Sequence, residues 1–223
     1  MKNHILRFSM IVALILGGVQ ATQAGIITFT NTSPITINDF GNASPYPAAI
    51  TISGLNAPIL DINVVINGLS HTFPSDIGIL LVGPGGQKVV LMDGVGGFNP
   101  VTNVNLIFDD EAASGISSST LSSGSFKPTN AFPGADTFAP PTLAGGPYAS
   151  SLSAFDNTSA NGTWSLFIKD FSAGDGGSLS GGFGLQISVP EPSSLLLMGT
   201  GLVGLIPWCR RRQNVGPDHL SIS

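Results

Sequence analysis

Asp61-Ile62-Asn63-Val64-Val65-Ile66-Asn67-Gly68, and then Ile77-Gly78-Ile79-Leu80-Leu81-Val82-Gly83-Pro84-Gly85-Gly86-Gln87-Lys88-Val89-Val90-Leu91-Met92-Asp93-Gly94, decide the fold. In the first stretch Ile62, Val64 and Ile66 alternate with Asp61, Asn63 and Val65. A period of two places one set on a buried face and the other outward, which is a half-buried strand. The run 77–82 is almost wholly apolar, so it reads as a central strand covered on both faces. Gly83-Pro84-Gly85-Gly86 separates it from Val89-Val90-Leu91-Met92 and predicts a hairpin. Asn67-Gly68 and Asp93-Gly94 are hairpin-type dipeptides, since both tolerate positive φ.

The same alternation recurs outward. Val104, Leu106 and Phe108 alternate with Asn103 and Asn105; Trp164, Leu166 and Ile168 with Ser165, Phe167 and Lys169; Leu185, Ile187 and Val189 with Gln186 and Ser188. No stretch keeps a helical period, and turn residues recur between short apolar runs. The expected class is all-β, a sandwich or barrel. Residues 114–146 are rich in Ser, Pro, Gly and Thr, long for a structureless loop. Phe126, Phe132 and Phe138 within it suggest that it packs over the sandwich.

The two ends read as addresses. Lys2 and Arg7 form a basic n-region, 8–19 an apolar h-region, and Ala21-Thr22-Gln23-Ala24 a small-residue cleavage site, with cleavage expected after Ala24. At the other end Val189-Pro190-Glu191-Pro192 precedes an apolar run over 193–206 and the cluster Arg210-Arg211-Arg212. An apolar helix closed by arginines stays in a bilayer with its basic end on the cytoplasmic side. The run is short against the ~20 residues that a spanning helix needs, which suits an anchor meant to be removed; an ordinary single-pass anchor is the plain alternative. The division is 1–24 signal peptide, 25–189 domain, 190–212 sorting and anchor segment, and 213–223 tail.

Over 25–189 eleven acidic residues face only Lys88, Lys127 and Lys169, a net charge of −8. No basic patch exists to neutralise phosphates, so nucleic acid is not an expected partner. The only cysteine, Cys209, lies beside the arginines. The domain therefore has no disulfide, thiol nucleophile or thiolate metal site.

His71 is the only histidine between the two ends. It is formally eligible as a base, but no Gly-x-Ser-x-Gly accompanies it, and a zinc site would have it as sole nitrogen ligand. A histidine fixing the turn before Asp76 is the simpler reading, and no catalytic residue is assigned. Asp109-Asp110-Glu111 resembles metal ligation more than a carboxylate pair across a cleft. Adjacent acids repel unless solvated or bound to a cation, and calcium takes six to eight oxygen ligands. The candidate calcium site draws on Asp76, Asp109, Asp110 and Glu111, with Asp93 as a further option; the alternative is a solvated acidic loop. Asn31, Asn42, Asn157 and Asn161 open N-x-Ser/Thr patterns that turn chemistry explains.

Residues 189–212 resemble the PEP-CTERM sorting signal of Gram-negative bacteria, although relatives usually stop soon after the arginines. The resemblance implies export, transient membrane anchoring and recognition of Pro190, Glu191 and Pro192 by an exosortase, with Arg210, Arg211 and Arg212 as the basic stop. A second resemblance rests on Gly68-Leu69-Ser70-His71-Thr72-Phe73-Pro74-Ser75-Asp76-Ile77, then 79–86, Phe108-Asp109-Asp110-Glu111-Ala112, Asn161-Gly162-Thr163-Trp164-Ser165-Leu166, Asp170 and Gly177-Ser178-Leu179. These are similar to the P domain (Homo B domain) that follows kexin-like, furin-like and bacterial subtilase proteases. That likeness implies a jelly-roll-like β-sandwich of about eight strands, here flanked by an N-terminal signal helix and a C-terminal transmembrane helix. Gly78 departs from the pattern where relatives carry a second acid, and Gly182-Phe183-Gly184 where they carry tryptophan.

A subtilase domain would exceed the mature length, so the expectation is a non-enzymatic protein. It would be exported to the outer surface or extracellular matrix of a Gram-negative bacterium, with a structural or adhesive role. Its partners would be an exosortase-type processing enzyme, the membrane transiently, and exopolysaccharide or surface proteins. The alternatives are a carbohydrate- or protein-binding module, with Tyr46, Tyr148 or Trp164 lining a groove, or an accessory domain of a separate subtilisin-like protease.

Overall fold

The computed structural model describes residues 24–133, 138 and 146–190. The signal helix, the transmembrane helix, Glu191, Pro192, Arg210, Arg211, Arg212 and the 213–223 tail lie outside the described residues. Among those described, no helix is long and apolar enough to cross a membrane.

Among the described residues, eight strands have five residues or more: β1 (Ala24–Asn31), β3 (Ala48–Ile52), β4 (Asp61–His71), β5 (Ile77–Val82), β6 (Lys88–Asp93), β7 (Val101–Phe108), β10 (Gly162–Asp170) and β12 (Phe183–Pro190). Four are shorter: β2 (Ile35–Ile37), β8 (Gly124–Phe126), β9 (Thr129–Asn130) and β11 (Gly177–Leu179). They form two sheets. The first has seven strands, β1-β12-β4-β11-β2 with β7 paired to β4 and β8 to β7. The second has five, in the order β3-β10-β5-β6-β9.

The alternating residues are the core. Ile62, Val64 and Ile66 of β4, Val104, Leu106 and Phe108 of β7, and Leu185, Ile187 and Val189 of β12 are buried in one cluster with Ile79, Leu81, Trp164, Leu166 and Ile168 of the second sheet. The sheets thus pack face to face, as apolar faces of period two require. β5 is buried at every position, because its outward residues are covered as well. Leu80 and Val82 pack with Val90, Phe138 and Phe167, bordered by Tyr46 and Tyr148. Phe138 meets Tyr148 and Phe171 edge-on, so part of the long segment does lie over the second sheet. Phe126 packs at the margin of the main core, whereas Phe132 is exposed.

That segment is also not structureless. It carries β8, parallel to β7 in one sheet, and β9, parallel to β6 in the other. Such short parallel pairings leave no hydrophobic period to read, which is why the sequence shows only a loop.

Of the three predicted turns, one is a hairpin. Gly83–Gly86 joins β5 to β6, with Gly86 N–H donating to the Gly83 carbonyl at 3.0 Å. Asn67-Gly68 instead lies inside β4, where the register with β7 slips between Ile66 and Leu69. Gly68 takes φ +68° there, and its backbone bulges rather than reverses. Asp93-Gly94 ends β6, and the chain then crosses to β7 in the other sheet. A dipeptide that permits positive φ does not choose between a turn and a bulge; the partner strands do.

Candidate functional site

Asp76, Asp109, Asp110 and Glu111 do not form one constellation. Among the described residues, no group of three or more His, Cys, Asp or Glu side chains is placed to hold a metal ion. Asp76 closes the 3₁₀ turn Pro74–Asp76, whereas the other three follow β7.

Each of the three acids after β7 has a local task. Asp110 accepts from the backbone N–H of Leu152 at 3.0 Å and of Ser153 at 2.8 Å, and from the Ser151 hydroxyl. It therefore caps the 3₁₀ turn Leu152–Phe155 from across the fold, satisfying N–H groups that a turn leaves without partners. Asp109 Oδ1 accepts from Glu111 N–H at 2.7 Å, and Lys127 Nζ donates to the Asp110 carbonyl at 2.7 Å. The hydrogen bond with the Asp109 side chain raises the Glu111 carboxyl most; burial and the charges of Asp61 and Asp109 add to it, against a lowering by its own backbone N–H.

Two acids that the motif reading missed belong to this neighbourhood. Burial raises the Asp61 carboxyl, helped by the charges of Asp109 and Asp110 and opposed by a hydrogen bond to Ile62 N–H. Burial likewise raises Asp156, with Asp61 and Asp110 adding to it. Asp61 opens β4 and Asp156 follows the capped turn, so no local spacing announces their meeting.

Asp76 faces a different group. Burial raises its carboxyl most, and Asp170 and Asp175 raise it further, while the Ser172 side chain and His71 lower it. His71 and Asp170 are buried, with His71 Nε2 3.3 Å from Asp170 Oδ2. The contact is close but falls short of an aligned hydrogen bond. His71 Nδ1 accepts from Phe73 N–H at 3.2 Å, and Asp170 Oδ1 from Ser172 N–H at 2.9 Å. With Nδ1 accepting and Nε2 turned to a carboxylate, neither ring nitrogen is offered to a nucleophile. The pair fixes the segment before β5 and the turn after β10. Gly78 follows from the same packing: a Cβ there would lie 2.5 Å from the Phe171 ring. A second acid at this position would collide with an aromatic ring that Lys169 Nζ also covers at 4.5 Å.

Of the three rings offered as groove lining, Tyr148 does border a cavity, beside Pro128, Thr129, Asn130 and Pro147. Trp164 is fully buried, its indole N–H donating to the Ala160 carbonyl at 2.9 Å. Tyr46 stands edge-on to Phe167 and Tyr148 to Phe138. Phe98 reaches solvent, 66 % exposed and stacked on Phe73 at 5.0 Å, and Phe40 and Phe132 are exposed as well.

The remaining candidates meet at one end of the first sheet. Ala24 is the cross-strand partner of Pro190, and the antiparallel register continues to Asn31 opposite Phe183. The expected signal cleavage site and the first residue of the sorting segment are thus neighbours. The rim there is apolar. Ile26, opposite Ser188, is 71 % exposed, and Leu60, whose N–H donates to the Ser188 carbonyl, is 42 % exposed. Ile27, Leu55, Ala57, Pro58 and Val189 line a groove beside them. β1 has no hydrophobic period beyond a few residues, so the sequence does not announce its pairing with β12.

No curated protein matches the sequence. Two solved structures are similar at low level: the serine protease of Aeromonas sobria, and its complex with the chaperone ORF2. Each shows 16% identity and a TM-score of 0.35, over 75% and 76% of this chain respectively. The match spans only 26% and 27% of those chains. At the C-terminal end the finding is direct: residues 188–213 match the PEP-CTERM protein-sorting motif. The motif implies an exported precursor, anchored in the membrane and processed by an exosortase, and it begins inside β12.

Proposed function

We propose that the protein is a non-enzymatic envelope or matrix module. A P-like β-sandwich is exported by the signal peptide cleaved after Ala24, held by its C-terminal segment, and released at Pro190-Glu191-Pro192 to a structural or adhesive role outside the cell. The observation that carries this reading is the direct continuation of β12 into the sorting motif, with no linker between sandwich and address. The non-enzymatic part is supported by His71, whose Nδ1 accepts from Phe73 N–H and whose Nε2 is buried facing the Asp170 carboxylate at 3.3 Å. The P-like part rests on the residues quoted for that resemblance, among which Asp110 is the cap of a turn rather than a cation ligand in this reading.

The test is the intact mass and location of the mature protein in its host, with and without the processing enzyme. The expected result is loss of residues beyond about Pro190, and departure from the inner membrane, only when the enzyme is present. Retention of the whole C-terminus in both strains overturns the reading.

One observation favours a carbohydrate-binding role as a second reading. The exposed Phe98 ring, backed by Phe73, offers a flat apolar platform of the kind on which a sugar face stacks. Phe98→Ala, at a largely exposed position, separates the two: loss of polysaccharide retention with unchanged stability supports binding, and unchanged retention removes it.

A further inference from the structure

The β1–β12 ladder holds the beginning of the sorting motif inside a sheet. Pro190 is still a strand residue, paired with Ala24, and Val189, one residue earlier, belongs to the hydrophobic core. A peptidase draws its substrate into a cleft as extended, unpaired chain. Residues up to Pro190 are not in that state, because their partner strand and their buried side chains already claim them. Proline has no N–H, so Ala24 and Pro190 cannot be a mutually hydrogen-bonded pair. Alternation along an antiparallel ladder then places the bonded pairs at Gly25–Val189 and Ile27–Ile187, with Ile26–Ser188 a non-bonded pair.

We infer that β1 is a clamp on the sorting reaction: its N-terminal residues position Pro190 in the sheet and limit access of the processing enzyme to Pro190-Glu191-Pro192. The inference rests on the exosortase reading above. It also gives the two cleavages an order. Hydrolysis of the Ala24–Gly25 amide consumes one water and leaves a carboxylate on Ala24 and an ammonium on Gly25. The leader departs with Ala24, so Pro190 loses its cross-strand neighbour while the Gly25–Val189 pair stays. N-terminal processing thereby uncovers Pro190, without breaking a ladder hydrogen bond, and precedes C-terminal processing.

The register supplies the test. In a non-bonded pair the Cα atoms approach to about 4.5 Å, which suits a disulfide. In full-length protein in its host, with Cys209→Ser to remove the native thiol, Ile26→Cys combined with Ser188→Cys locks the ladder two residues before Pro190. Pulse-chase with intact-mass readout is expected to show C-terminal processing slowed roughly tenfold or more, about the effect of 1.4 kcal/mol on a rate. Reductant restores it, and each single cysteine behaves as wild type. Ala24→Leu blocks leader removal at an exposed position without touching the core, and is expected to delay C-terminal processing as well. Equal processing rates for the oxidised lock with and without reductant, or for Ala24→Leu and wild type, overturn the clamp while leaving the sorting reading intact. A wild-type chain that keeps its C-terminus overturns both.

Discussion

Asp110 separates a cap from a cation site. Substituting Asp110→Ala removes one acceptor group that serves three donors: Leu152 N–H, Ser153 N–H and the Ser151 hydroxyl. Leu152 is buried and its turn seats Phe155, which is fully buried against Trp164. The serine groups can turn to water, but Leu152 N–H has less access to it. A lost N-cap costs roughly 0.5–2 kcal/mol, and an unsatisfied, largely buried donor about 1–3 kcal/mol. These overlap, so the expected loss is about 2 kcal/mol. For a domain of this size that is a fall in Tm of roughly 4–8 °C, or about 1 M in urea midpoint at a slope near 2 kcal/mol/M. Asp110→Asn keeps one carbonyl acceptor and is expected to lose about half as much. The assay is urea unfolding followed by fluorescence of the buried Trp164, in calcium and again in chelator. A cap makes the loss equal in both buffers. A loss that vanishes in chelator, or a variant within about 0.5 kcal/mol of wild type in both, refutes the assignment.

Stability is expected to vary with pH through Asp61, Asp76, Glu111 and Asp156, whose folded-state values are all raised. The folded form then holds more protons than the unfolded chain in the window between the ordinary and the raised values. Their contribution is fully present below the ordinary carboxylate values and is lost as pH rises through the raised ones. Asp61→Asn combined with Asp156→Asn is expected to flatten that slope in urea titrations from about pH 4 to 7, and an unchanged slope counts against the acidic neighbourhood. Asp170→Ala leaves His71 Nε2 buried without its carboxylate and Ser172 N–H without its acceptor. The expected loss is about 2–4 kcal/mol by thermal unfolding, and a variant as stable as wild type contradicts the role given to the pair. Gly68→Ala forces a Cβ at φ +68°, 2.1 Å from Ser180 Oγ. A loss of at least about 1 kcal/mol is expected, and a neutral outcome in the same assay speaks against the bulge in β4.

Legible in the residues alone were the all-β class, the central strand at 77–82, the Gly83–Gly86 hairpin and the address at 189–212. These are local signals: period two, a continuous apolar run, a glycine-rich turn, and an ordered motif each depend on near neighbours in the chain. Phe183 is fully buried in the core, at the place where the sequence departs from the P-domain pattern. Tertiary packing set what distant segments do to one another. It turned Asn67-Gly68 from a turn into a bulge, because β7 and β11 continue alongside β4. It separated Asp76 from Asp109, although both were acids beside apolar strands, and it brought Asp61 to Asp109 and Asp156 to Asp110. It gave Asp110 to a turn some forty residues away. Above all it set Ala24 beside Pro190. Pairing between the first and last strands is a contact of maximal sequence separation, written in register and buried faces rather than in any motif, and only the closed sheet brings the two ends together.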